Sequence, residues 1–333
     1  MPTDPAAGGE AGRWAYHPDL PIQVSPVFRW PWQPLAILRW FWDSWFLISE
    51  RLLIAGLAVL SWSYLQPPLE VSVSFSAAWI LPMWLRNLGL MTLVAGGLHL
   101  WLFTFQGQGT ALKFDARNLA LGRAFTLGRQ VWDNMFWTLA SGVTVWTAYE
   151  ALMIWAFANG YLAPLPFDAN PVWFVALFFL IPIWESFYFY WIHRLLHWRP
   201  LYRLAHYLHH RNSTVGPWSG LSMHPVEHAI YLGGVLIHWV IASHPVHILY
   251  HLQYYCLSAA TTHSGFEGLV IRDRNRLAMG TFHHQMHHRY FECNYGSLEI
   301  PWDKLFGSFH DGTAAGRAQM AARRKRLAGK LGR

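Results

Sequence analysis

Residues 172–210 read VWFVALFFLIPIWESFYFYWIHRLLHWRPLYRLAHYLHH. In the first twenty, Glu185 is the one charge, and about 20 such apolar residues suffice to cross a bilayer as a helix. The remainder changes character at once. His193 and His197 stand four apart, so a helix carries them on one face, close enough to hold one ion. Eight residues on, His206, His209 and His210 repeat the theme. The stretch therefore predicts a membrane span whose end is built of imidazoles.

Composition agrees. The chain has 333 residues, of which 53% are hydrophobic and 17% aromatic. Only 13% are charged, against about 25% in a soluble domain, and 21 are tryptophan. Four stretches are expected to span: Trp45 to Leu65, Leu85 to Phe105, Phe136 to Leu162 and Val172 to Trp191, with Trp and Tyr at their ends. Basic loops (Arg13, Arg29 and Arg39; Lys113, Arg117, Arg123 and Arg129; Arg194, Arg199, Arg203 and Arg211) alternate with loops poor in Lys and Arg. That alternation orients both termini toward the cytoplasm.

A second apolar region, 229–262, is interrupted at His244-Pro245 and reads as re-entrant or buried helices. Residues 1–30 read as a disordered or interfacial segment, without the basic and apolar regions of a signal peptide. Residues 31–170 then hold the first three spans, 171–312 the fourth span and the histidines, and 313–333 a basic tail. The charge of +7 lies in loops and tail, so lipid headgroups are the expected partner rather than nucleic acid. Cys256 and Cys293 form no CxxC, which suits a reducing compartment. Arg far outnumbers Lys, and a bacterial inner membrane is the expected location.

Seventeen of the 19 histidines fall between His193 and His310. His284, His287 and His288 repeat the HxxHH spacing of His206, His209 and His210, with His283 in front. His224 and His263 stand between the clusters, which makes them further candidates. Ten imidazoles exceed the roughly six ligands one first-row ion takes, so at least two ions are expected. Imidazole suits Fe, Zn, Cu and Ni alike, so ligand type alone does not choose. Glu-x-x-His, HExxH, GxSxG, P-loop and dinucleotide fingerprints are all absent.

HRLLH at 193–197, HYLHH at 206–210, MHPVEH at 223–228, THSGF at 262–266 and HHQMHH at 283–288, followed by NYG, resemble the fatty acid hydroxylase superfamily, also called the sterol desaturase family. The resemblance covers about Trp184 to Gly312. It implies an all-α integral membrane protein of about four spans with a cytoplasmic helical cap that holds a histidine-rich dimetal site, normally di-iron, though zinc can occupy such a site on purification. Carried over by position, the ligands are His193, His197, His206, His209, His210, His224, His263, His284, His287 and His288. Where the family often has Asp seven residues before the first histidine, this chain has Ser186, with Glu185 beside it. Glu185, Glu227, His283 and Asn294 are the candidates to hold imidazoles from behind.

The implied activity is O2-dependent hydroxylation of a membrane lipid, with desaturation as the alternative. A metal-handling membrane protein and a zinc hydrolase are the competing classes. The chain has no haem-binding HPGG, CxxC cluster or flavin fingerprint. Electrons must then come from a ferredoxin, cytochrome or reductase.

Overall fold

The structure is a computed structural model that describes residues 14–46 and 48–331. Proline and small polar residues set most helix starts. Pro34 opens α1 (Pro34–Trp45) at its first turn, where its missing N–H costs nothing. Ser49 accepts from Leu52 N at 3.3 Å and starts α2 (Glu50–Leu60), which a π turn continues through Leu65. Ser76 starts α3 (Ala77–Thr104) in the same way. After a long irregular loop come α4 (Gln130–Phe136) and α5 (Val143–Ala158), joined by a π turn. Asn170 caps α6 (Pro171–Leu196), accepting from Trp173 N at 3.0 Å.

Among the described residues, three helices are long and apolar enough to cross a membrane: Pro34–Leu65, Ala77–Thr104 and Pro171–Leu196. The expectation was four. The stretch expected as the third span is helical, as α4 and α5, but lies outside that set. It carries Glu150 and three threonines, Thr138, Thr144 and Thr147, and α5 buries eight of its residues. Inside the bundle its Glu150 and Thr147 meet Arg86 and Asn87 of α3.

Beyond α6 the chain turns through Arg199–Leu201 and Tyr202–His206 into α7 (Tyr207–His210), then reaches α8 (Pro225–Leu232). Next come a 3-10 stretch, Gly233–Trp239, and α9 (Pro245–Thr262). Every residue of α9 from Pro245 to Thr261 is buried, so the second half of the 229–262 region is interior helix, while Leu236, Trp239 and Val240 in the first half are exposed. Gln253 ties α9 to Ser61 at 3.0 Å, and His247 Nε2 donates to Phe174 O of α6 at 2.9 Å. Gly220 lets the preceding loop touch α9: a β-carbon there would lie 1.9 Å from Ala259 O.

An antiparallel hairpin, β1 (Gly268–Ile271) and β2 (Arg274–Ala278), departs from the all-α expectation. It leads into α10 (Phe282–Tyr290), which Thr281 starts by accepting from His284 N at 3.2 Å. A short α11 (Trp302–Leu305) and the basic α12 (Ala314–Leu331) follow.

The N-terminal segment also departs from expectation. Residues 1–13 lie outside the described residues, but from Trp14 on the chain is packed. The Trp14 and Phe282 rings meet edge to face at 4.8 Å. Ile22 and Val24 are buried, and Ile22 N donates to Asp311 O at 2.9 Å. Trp14, Tyr16 and Ile22 pack against Phe114 and against Phe282 and Met286 of α10, and this burial offsets the entropy of ordering the segment.

Candidate metal centre

Four ring sets converge at the end of α6. The helix delivers His193 and His197, four residues apart. Tyr202–His206 and α7 deliver His206, His209 and His210, and α10 delivers His284, His287 and His288. The end of α9 presents His263. The structure sorts nine of these into two groups: His193, His197, His206, His210 and His287 in one, and His209, His263, His284 and His288 in the other. Within each group the nearest ring nitrogens all lie within 4.8 Å of one another.

The spacing explains the sorting. Each pair separated by four residues shares a group: 193 with 197, 206 with 210, 284 with 288. The third member of each HxxHH crosses over: His209 leaves its helix partners for the four-membered group, and His287 leaves its own for the five-membered one. The two boxes thus interlock, and the groups stand side by side, with the His209 and His210 ring centroids 5.7 Å apart and those of His287 and His288 5.8 Å apart.

The donor chemistry fits metal ions. His287 Nδ1 lies 2.6 Å from Cys293 O, His193 Nδ1 2.7 Å from Tyr295 O and His263 Nδ1 2.9 Å from Ala259 O. A carbonyl only accepts, so these Nδ1 atoms carry the proton and each Nε2 presents a bare lone pair. Those lone pairs face one another. In the first group the Nε2 contacts are 3.0 Å for His287 with His210, 3.1 Å for His197 with His210 and for His206 with His197, and 3.2 Å for His197 with His287. In the second, His263 Nε2 is 2.9 Å from that of His284 and 3.0 Å from that of His288. Converging lone pairs repel unless a cation sits among them. Two nitrogens held at right angles, each about 2.1 Å from one ion, stand about 3 Å apart.

Burial keeps the rings in their ligating form. It pushes the His206 imidazole down to about 3 and His209 to about 4, and holds His210, His263, His284, His287 and His288 well below the usual range. These rings are neutral at pH 7 and need lose no proton to bind a metal.

Of the residues expected to support the rings, Glu227 does so: its Oε1 is 2.7 Å from His206 Nδ1. Burial raises its own carboxyl to about 7, and Oε2 has no partner. Glu185 lines the same cavity, but His193 uses the Tyr295 carbonyl in its place. Asn294 works one step back. Its Nδ2 donates to the His283 and His310 carbonyls, each at 3.1 Å, and its φ of +57° turns the loop that aims Cys293 O and Tyr295 O inward. His283 joins neither group; its ring stacks on Phe309, with Nε2 3.7 Å from Asp303.

His224 stays outside both groups. It is the N-cap of α8, its Nδ1 accepting from Val226 N at 3.2 Å. The His-Pro pair at 224–225 therefore reads as a helix start, as His244-Pro245 does for α9. Asp303 carried no signal in the sequence. It accepts from Tyr295 N at 2.9 Å, Gly296 N at 2.7 Å and Ser308 Oγ at 2.7 Å, fixing the loop whose carbonyls hold His193 and His287.

A cavity of about 430 Å³ opens onto both groups, lined by His193 and His206 of the first and His209, His263 and His284 of the second. Its middle is apolar, with Phe189, Ile192, Met223 and Tyr231 among its walls.

Residues 178–308 match the family described as fatty acid hydroxylase. Lathosterol oxidase from Homo sapiens is 32% identical over 124 residues, 37% of this chain and 41% of that protein. The Δ7-sterol 5(6)-desaturase of Saccharomyces cerevisiae is 32% identical over 120 residues, 36% and 32% of the two chains. The Δ7-sterol-C5(6)-desaturase of Nicotiana tabacum is 31% identical over 133 residues, 38% and 46%. The matched segments thus span less than half the length of these relatives, and no solved structure matches. All three relatives are eukaryotic, so they lend no support to the expected bacterial inner membrane.

Proposed function

We propose, from the premise that residues 178–308 form a domain of the fatty acid hydroxylase and sterol desaturase superfamily, that this chain oxidises a membrane lipid with dioxygen at a dimetal centre. The observation that carries the reading is the pair of adjoining imidazole groups at one end of a largely apolar cavity, beside helices long enough to span. The nine grouped histidines are the proposed ligands and iron the proposed metal. Bound there, two irons would supply the oxidising power to break an unactivated C–H bond.

The residues of the chain do the rest. The carbonyls of Cys293, Tyr295 and Ala259 and the carboxylate of Glu227 hold the Nδ1 protons and so keep each Nε2 aimed inward. Phe189, Ile192 and Met223 exclude water from the reacting chain. The four-donor group, with fewer imidazoles against the roughly six positions of a first-row ion, has more room for exogenous ligands. Hydroxylation consumes one O2, two electrons and two protons and yields an alcohol and water. Desaturation consumes the same and yields an alkene and two waters. The relatives' names favour desaturation as the second reading.

The electrons come from a partner. Trp198, Arg199, Arg203 and Tyr207 are exposed beside His197, His206 and His210, which suits an acidic carrier such as a ferredoxin or cytochrome. The same basic residues support a cytoplasmic position for the centre.

The test is to compare lipids from cells with and without the gene, grown under 18O2, and to measure iron in the purified protein. One 18O in a new lipid hydroxyl, with two irons per chain, is the expected result. A new double bond without 18O selects desaturation. An unchanged lipid profile with a single metal per chain overturns the proposal.

A further inference from the structure

The cavity has a second polar end. Besides the imidazoles it is lined by Asp43, Glu50, Glu185, Glu227 and Glu299, and Arg51 is the one Lys or Arg among its lining residues. Glu227 belongs to the histidine end through His206. The other carboxylates gather where α1, α2, α6 and the 297–299 loop meet.

Two helices measure the separation of the ends. Glu185 and His193 lie eight residues apart on α6, about 12 Å along its axis. Tyr254 on α9 and His263 at its end lie nine apart, about 13 Å, and both line the cavity too.

At this end Arg51 is already committed. Its guanidinium pairs with Glu299, its Nη1 donates to Ser44 O at 2.7 Å, and its Cζ lies 4.5 Å from the centre of the Trp45 ring. Glu50 accepts from Thr261 Oγ1. Glu185 has neither a hydrogen bond nor an ion pair among the described residues; it is half-buried on the cavity wall, and the one positive charge that acts on it is that of Arg51. With Asp43, Glu50, Glu185 and Glu299 sharing one guanidinium, this end of the cavity carries an excess of acidic groups that a cation or donor would offset. A carboxylate or phosphate ligand would be repelled here, and a sterol hydroxyl would leave the charge unmatched.

We propose that the Glu185 end of the cavity is a headgroup subsite for a lipid bearing a protonated amine, held about 12 Å from the imidazole groups. This deepens the oxygenase reading and rests on it for which carbon reacts, but the binding itself does not depend on turnover.

The test uses the full chain in detergent, with radiolabelled hexadecylamine as probe at pH 7. Competitors are N-acetylhexadecylamine, hexadecanoate and cholesterol. Wild type should prefer the amine over its N-acetyl analogue by about tenfold or more, the range of a charge-assisted hydrogen bond. Glu185→Gln should bring that ratio near one while amide affinity and iron content stay unchanged. Glu185→Asp should retain part of the preference, which shows that the carboxylate rather than the packing matters. Equal binding of amine and amide, a preference that survives both Glu185→Gln and Glu185→Ala, or stronger competition by hexadecanoate or cholesterol would each overturn the proposal. If the amine preference holds while the chain binds one metal and incorporates no 18O, the oxygenase reading falls and the subsite stands. If 18O enters a lipid without any amine preference, the reverse is true.

Discussion

Two of the buried polar clusters among the described residues are built on opposite terms. In the first, Arg86 of α3 gives Nη1 to Gln66 at 2.8 Å, Nε to Asn87 at 3.2 Å and Nη2 to Glu150. Asn87 Nδ2 goes on to Thr147 at 3.1 Å and to Glu150 Oε2 at 3.0 Å. Donor meets acceptor throughout, and no atom of Arg86, Asn87 or Glu150 is left over. In the second, nine imidazoles turn ring nitrogens toward one another, and at His193, His206, His263 and His287 an acceptor behind Nδ1 leaves a bare Nε2 facing the group. A closed network is complete as it stands and holds helices together. A convergent set of bare lone pairs is complete only with a cation. Polarity and burial are alike in the two; the sign of the facing groups separates a clasp from a site.

That contrast can be broken by experiment, and the largest effect belongs to the imidazoles. His287→Ala removes a donor that faces both His197 and His210. Activity should fall to background and iron by about one ion per chain, measured by elemental analysis. Two irons retained would show that the five-membered group is not a metal site. Next comes the clasp. Glu150→Leu strands the buried Arg86 and should cost about 3–5 kcal/mol in unfolding free energy, whereas Arg86→Met with Glu150→Met should restore most of it. If Glu150→Leu instead removes iron and leaves stability alone, the distinction between the clusters fails.

A third prediction sharpens how the cage is held. Glu227→Gln should cost about 10–100-fold in iron affinity or turnover, because His206 loses a charged acceptor. An unchanged affinity would mean that the loop carbonyls suffice. The smallest effect is expected at His224. His224→Ala removes a helix cap worth about 1 kcal/mol and should leave iron content untouched. Loss of an ion there would restore the tenth ligand and redraw the four-membered group.

Much of this was legible along the chain. Repeated boxes at four-residue spacing carry a helical geometry that needs no tertiary contact, so the pairs 193/197, 206/210 and 284/288 could be read directly. Glu227 could be anticipated from its place in HPVEH. Other features could not. His224 was indistinguishable from His263, because both are lone histidines between boxes; one caps a helix and the other closes a cage. Asp303 shows no pattern at all, since its role is to accept from backbone N–H groups whose position a loop decides. The third expected span, which is not among the helices long and apolar enough to cross a membrane, was misjudged for a related reason. Hydropathy along 136–162 registers apolar length but not that Glu150 and Thr147 have partners on α3.

By itself, then, the sequence determined the apolar, span-forming composition and the helical pairing of the imidazoles, and led to the expectation of more than one ion. Those follow from local periodicity and from counting. Only the tertiary structure decided which imidazoles converge in one group, that His209 and His287 trade groups, and that Glu185 lines the far end of the same cavity. Those are relations between segments up to about a hundred residues apart, and no local rule of chain geometry reaches that far.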